Sequence, residues 1–480
     1  FLTLDGHITR TGNGVATLDL RADQGIILSG YNITANDADS DGDLDPTTDA
    51  DSLNVIFNAD RDADENGNIT INNTNITTLG GYLVVGGGNG DVGGGNGILG
   101  DGDGTGADDA FAYVTGSGYG AHISNTNITT SGGDAIINGY AKGAGTSRGI
   151  FMSAFINTGE GDIRITGTST GDTTYPRGVE LAGISNTMEL RTTTGDIEIT
   201  GSATNDVGVI FWEDVTVATT DGNITITAES ANNQDFRFGA PTESPTLSST
   251  NGNITINANS MYMDATASIS AGDTISIFTI DPTTTIGLGG GSGTLNLNTD
   301  ELSILDAGNK IIIGKDGVQT GDIDLNAWNM SGKSFDLELY GNDIFMGGIT
   351  MGEGSILAHA QDNGGDTAIL RIDGHITRTA NGVATLDLRA DQHITLSDYN
   401  ITAYDSNSDG DNDATTDADS LNIILNADRD ADEDGRIVID TANLTTLGGS
   451  VVVGGGSGDI GGADGILGNG DGTGADDRFT

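Results

Sequence analysis

Apolar and polar residues alternate in short runs along the whole chain. ATLDL (16–20), NVIF (54–57), NITIN (68–72), DIRIT (162–166), DIEIT (196–200), NITIT (223–227), NITIN (253–257) and DIDLN (322–326) are the clearest. A period of two puts Ile, Leu or Val on one face and Thr, Asn or Arg on the other, which is the pattern of a half-buried strand. Gly, Asn or Asp precedes most runs, and these residues accept the positive φ of a sharp turn. No window carries an amphipathic helical period of useful length. The pattern predicts an all-β chain.

The runs are also spaced. RGIFMSAFINTGEGDIRITG begins at Arg148, RGVELAGISNTMELRTTTGDIEITG at Arg177 and VGVIFWEDVTVATTDGNITIT at Val207. Each reads as three short strands, and the equivalent glycines Gly149, Gly178 and Gly208 lie about 30 residues apart. Three strands per turn, repeated at that interval, predict a parallel β-solenoid whose rungs stack at about 4.8 Å. An antiparallel sandwich is the alternative, but Asn-Gly hairpin signals do not fall between every pair of strands.

A longer period overlies the short one. Residues 5–111 return at 373–479, an offset of 368, with roughly three-quarters of positions identical. The expected organisation is one complete tandem unit, 1–368, and the first third of the next, 369–480, continuous with the same solenoid. The chain reads as a window cut from a longer array. Repetition on this scale suits a spacer or a multivalent surface better than a single reaction centre.

Composition changes the picture in two ways. The formal charge is −52, from 70 acidic and 18 basic residues, so nucleic acid and anionic membrane surfaces are disfavoured and divalent cations are favoured. There is no Cys, hence no disulfide and no thiolate metal site. No apolar stretch has the length of a membrane span.

The GDIxIT and GNITIT rungs, and the run SLNVIFNADRDADENGNITINNTNITTLGG (52–81) with its copy in 420–453, resemble the filamentous haemagglutinin-type exoproteins of bacteria. The resemblance implies a right-handed parallel β-helix with protruding Gly- and Asp-rich loops. It also implies secretion across the outer membrane, a place at the cell surface, and use as an adhesin or surface filament. Expected partners are neighbouring repeats or other copies in a fibre, and a cell-surface or glycan ligand. A self-assembling sheath or matrix fibre and a polysaccharide-degrading β-helix enzyme are the rival readings.

Two aspartate ladders interrupt the strands. The first is Asp37, Asp39, Asp41, Asp43 and Asp45 with Asp49 following, and its copy is Asp405, Asn407, Asp409, Asp411 and Asp413 with Asp417. The order D-x-D-x-D-G opens a calcium loop, since alternate side chains converge and Gly42 or Gly410 lets a carbonyl join them. The acidic residue expected at position 12 is Thr48 or Thr416, so Asp49 or Asp417 would substitute. The second ladder is Asp60, Asp62 and Asp64, repeated as Asp428, Asp430 and Asp432. All are candidate Ca2+ ligands; the alternative is a set of solvated loops. Eleven acidic residues fall within 37–66 and Arg61 is the single base among them, so repulsion argues for a cation. A Gly-rich segment, 86–109, resembles the GGxGxD turns of toxin-type repeats, with Asp91, Asp101, Asp103 and Asp108 as donors or as part of a plain protruding loop.

Catalytic chemistry is weakly signalled. The histidines His7, His122, His359, His375 and His393 are scattered, with His7 and His375 at one repeat position facing outward. Trp212 and Trp328 suit core or rung-edge places better than sugar platforms. The Asn-Ile-Thr triplets, among them Asn32, Asn75, Asn127 and Asn400, match glycosylation acceptors but read more simply as a turn Asn followed by a strand. The chain is expected not to be an enzyme.

Overall fold

The computed structural model describes residues 1–36, 51–62, 64–88, 111–143, 145–171, 175–183, 188–241, 243–363, 368–404, 419–430 and 435–456. It is all-β, 57% strand and 1% helix, with long parallel sheets. Two compact units divide it, Phe1–Ala271 and Gly272–Thr480.

In the first unit each pass of the chain adds one strand to each of three ladders. The first ladder runs through Leu2–Leu4, Ile26–Ser29, Ile69–Asn72, the start of Gly118–Thr129, the start of Ser147–Gly159, Arg177–Ala182, Val209–Trp212, Phe236–Phe238 and Met261–Met263. The second takes Ile8–Arg10, Ile33–Ala35 and Asn75–Thr77, then the ends of the two long strands. It continues through Met188–Thr192, Val215–Thr219, Thr246–Ser249 and Ser268–Ala271. The third stacks Ala16–Arg21, Leu53–Ala59, Leu83–Gly87, Ala135–Lys142, Ile163–Ser169, Ile197–Ala203, Ile224–Ser230 and Ile254–Asn257. Every one of these pairings is parallel, which excludes the antiparallel sandwich. Ile150 pairs with Val179 and Val179 with Val209, so the Gly149, Gly178 and Gly208 spacing is the true register.

Alternation produces the core. Ile163, Ile165, Ile197, Ile199, Ile224, Ile226, Ile254 and Ile256 are buried in stacked columns, and Arg164, Glu198, Thr225 and Thr255 face out beside them. Some outward columns are buried as well, Phe151, Glu180 and Ile210 of the first ladder among them. Ile56, Val84 and Ile136 pair on the outward side of the third ladder, yet they are buried as a small cluster with Tyr82 packed against it.

The glycines before the third-ladder strands have a different role from the expected one. Gly161, Gly195, Gly222 and Gly252 are not among the positive-φ residues. They stack directly, and a Cβ on Gly195 would lie 2.0 Å from the Gly161 carbonyl oxygen. Close approach of successive backbones demands glycine here. Beside this stack the Thr158 and Thr192 hydroxyls donate to the carbonyls of Gly161 and Gly195, each at 2.5 Å. The Asp or Asn that follows each glycine joins one rung to the next. The Asp162 amide donates to Asp134 Oδ1 (2.9 Å), that of Asp196 to Asp162 Oδ1 (2.9 Å), that of Asn223 to Asp196 Oδ1 (2.7 Å) and that of Asn253 to Asn223 Oδ1 (3.0 Å). Each side chain thus satisfies a backbone donor that the ladder leaves over.

The second unit has the same grammar. Thr274–Phe278, Lys310–Ile313, Asp336–Gly341, Ile356–Ala360, Ala384–Ala390, Leu421–Ala427 and Val451–Gly455 stack in parallel. A second parallel sheet holds Ile286–Leu288, Leu295–Leu297, Ile323–Asn329, Ile344–Met351, Ile369–Ile372, His393–Ser397 and Arg436–Asp440. One feature escapes the sequence pattern, a helix at Thr299–Ser303 closed by a capping box. Asn298 Oδ1 accepts from the Glu301 amide (3.1 Å), and Glu301 accepts from the Asn298 amide (2.8 Å). Five residues are too few to show a period.

Candidate metal centre

The second aspartate ladder begins where the strand Leu53–Ala59 ends. Asp60 adopts φ 52° and turns the chain, and the residue is 2% exposed. The turn is held from below, because the amides of Asp60 and Arg61 donate to the carbonyls of Gln24 (3.2 Å) and Ala22 (3.0 Å). Gly67 closes it. A Cβ there would sit 2.0 Å from the Asp60 nitrogen, so this glycine too is required by close approach.

This turn brings together three residues of the predicted set. One carboxylate oxygen each from Asp60, Asp62 and Asp64 lies within 4.8 Å of the others. Asp60 Oδ1 accepts from the Asn66 amide (3.1 Å). Burial pushes the Asp60 carboxyl above the ordinary carboxylate range, and neighbouring Asp64 pushes it further, partly offset by the amides of Asn66 and Glu65. Converging hard oxygen donors with raised mutual repulsion fit a hard divalent cation. Calcium takes six to eight oxygens, so three carboxylates need further donors even when some bind through both oxygens.

The copy repeats the backbone. Asp428 has φ 54°, and a Cβ on Gly435 would lie 2.3 Å from the Asp428 nitrogen. Asp428 and Asp430 are described, whereas Asp432 lies outside the described residues. So do Asp37, Asp39, Asp41, Asp43, Asp45 and Asp49 of the first ladder, Asp405, Asn407, Asp409, Asp411, Asp413 and Asp417 of its copy, and Asp91, Asp101, Asp103 and Asp108.

Bases that the sequence does not place near the acidic segments are brought in by the fold. Lys142 pairs with Glu65 at 2.8 Å across 77 residues, and this contact holds the Glu65 carboxyl below its usual range. Arg10 donates to the Asp51 carbonyl (2.6 Å). Its copy Arg378 is buried, and desolvation draws its pKa down against the opposing charges of Asp419 and Glu353. Parallel stacking alone creates these neighbours; nothing in the local sequence announces them.

Other candidates have structural surroundings. His7 Nδ1 accepts from the Asn32 amide (2.9 Å), Asn32 Oδ1 accepts from the Asn75 amide (3.0 Å), and His375 with Asn400 repeats the arrangement. His359 has both ring nitrogens engaged, by Asp391 Oδ1 (3.2 Å) and Gln361 Nε2 (3.1 Å). Trp328 is buried, and Trp212 lies under the guanidinium groups of Arg177 (5.6 Å) and Arg237 (5.0 Å). Among the described residues no helix is long and apolar enough to cross a membrane.

No protein-family model matches the chain, and no curated protein or solved structure matches it either.

Proposed function

We propose that this chain is a right-handed parallel β-helix and a repeat segment of an extracellular bacterial adhesin or surface filament. The observation that carries this reading is the uninterrupted parallel stacking within each unit, with side-chain and glycine columns passing from rung to rung. Such stacking transmits length, at about 4.8 Å per rung, or on the order of 60 Å for a dozen rungs. The resemblance to filamentous haemagglutinin-type exoproteins supports a place outside the cell.

Calcium is the proposed stiffener, held by Asp60, Asp62 and Asp64 and by Asp428, Asp430 and Asp432. The first ladder and its copy are proposed to supply further donors. A cation at these turns would tie each strand end to the loop that follows and would relieve part of a −52 charge. Electron microscopy of the purified chain should show rods, and calorimetry should show calcium binding at millimolar concentration or below. Compact globules would sink the fibre reading, and absent calcium heat would sink the cation reading.

A further inference from the structure

The corner between the first two strand ladders of the first unit holds a concavity of about 310 Å³, lined by Asn125, Thr126, Asn127, Ser153, Ala154, Phe155 and Glu189. Its origin is a register step. Ser124 pairs with Ser153 and Thr126 with Ala154, so Asn125, at φ 48°, has no opposite number in the next rung. The extra residue leaves a ledge above a rung that is one residue shorter. Below it the outward column passes from Asn127 to Phe155 to Glu189, in register.

We propose that this corner binds a neutral sugar ring. Ser153 is 4% exposed and its hydroxyl has no hydrogen-bond partner, a cost that a ligand hydroxyl would remove. The neighbouring polar groups are positioned rather than loose. Thr126 donates to the Ser124 carbonyl (2.8 Å), Asn127 Nδ2 donates to Asn75 Oδ1 (3.0 Å), and Arg191 holds the Glu189 carboxylate. The half-buried Phe155 supplies an apolar wall against which the C–H face of a pyranose packs. Amide, hydroxyl and carboxylate groups around one aromatic ring match a ligand with many hydroxyls. Glu189 and the net charge of −52 oppose an anion. The volume is at the lower end for small-molecule sites, so it suits one ring rather than a chain of them. A neutral sugar is thus the ligand class of the adhesin proposed above; this rests on that reading, while its test can fail with the rod intact.

The test is saturation-transfer NMR on the intact chain with D-glucose, D-galactose, D-mannose and N-acetyl-D-glucosamine at millimolar concentration. At least one should show saturated ring protons. Phe155→Ala should weaken that binding about tenfold, through loss of apolar contact. Ser153→Ala should weaken it about threefold to tenfold while leaving the melting temperature unchanged or raised, because an unpaired buried hydroxyl is removed. The Ser153 variant keeps the test meaningful if Phe155→Ala unfolds. Silence from all four sugars overturns the proposal, as does unchanged binding in Ser153→Ala. Rods in the microscope with silent sugars would leave the fibre reading standing alone.

Discussion

The two copies of the repeat have nearly the same sequence, and within residues 1–480 their outer rungs have different described neighbours. In the first copy Ile8, Leu18 and Leu20 are only partly covered, whereas their counterparts Ile376, Leu386 and Leu388 are 0% exposed. The third rung reverses the order. Ile71, Leu83 and Val85 are 0% exposed, but Ile439, Val451 and Val453 are 41%, 45% and 43% exposed. The middle rung is the same in the two, with Ile26, Leu28, Ile33 and Val55 as buried as Ile394, Leu396, Ile401 and Ile423. Strands Ile344–Met351 and Ile356–Ala360 cover the first rung of the second copy, and strands Gly118–Thr129 and Ala135–Lys142 cover the third rung of the first. A rung's sequence therefore chooses which residues point inward. Its neighbours decide how much those residues contribute.

The largest expected effect tests this directly. Leu386→Ala should cost about 3 kcal/mol, since the side chain is enclosed above and below. Within residues 1–480, where a described strand pairs with only one side of its own, Leu18→Ala should cost about 1 kcal/mol. Hydrogen exchange at the amides of Leu388 and Leu20 would report the two losses separately. Equal losses would mean that rungs are stabilised from within rather than by stacking.

Much of the fold was legible for the same reason. Gly149, Gly178 and Gly208 fixed the register because a stacked rung cannot slip without turning every side chain to the other face. The Asp and Asn residues before each strand were visible too, but their partners were not. That Asp162 serves the amide of Asp196 depends on which rung lies above, a fact of packing. The glycines were read as turn residues when close backbone approach is what requires them. Lys142 beside Glu65 and the ledge at Asn125 were out of reach, because each arises from a contact between distant segments. At the candidate metal centre the spacing Asp-x-Asp-x-Asp announced convergence, while the burial of Asp60 came only from the rung beneath.

Calcium should give the next largest effect. An ion bound by the folded turns and not by the unfolded chain stabilises by about 2.7 kcal/mol at a hundredfold excess over its Kd. Chelation should therefore lower the melting temperature, with the loss concentrated at Asp60–Asp64 and Asp428–Asp432. Hydrogen exchange confined to other rungs would argue that the ion sits elsewhere. Somewhat smaller, at about 2 kcal/mol, should be the cost of Gly67→Ala or Gly435→Ala, each of which forces a Cβ against the aspartate backbone. Because both lie beside the rung whose burial matches in the two copies, the two losses should match. A marked inequality would show that the turns are not equivalent.

The smallest effect has a sign that distinguishes a metal turn from a merely acidic one. Burial, then the neighbouring Asp64, raises the folded-state pKa of Asp60 above its unfolded value. The stabilisation that accompanies this shift is fully present below the unfolded pKa. It is lost as pH rises through the folded value. In chelator, then, this turn should be more stable at the acidic side of that window than at neutral pH, and carbon-detected titration should place Asp60 above the ordinary carboxylate range. Asp60→Asn keeps the acceptor for the Asn66 amide and removes the charge. It should raise stability modestly at neutral pH in chelator and lower it in calcium, where the carboxylate is needed. The reversal follows because one ionised group is a liability when buried alone and a ligand when a cation is near. If the substitution lowers stability equally in both media, Asp60 acts through its backbone turn, and the carboxylates around it hold no ion.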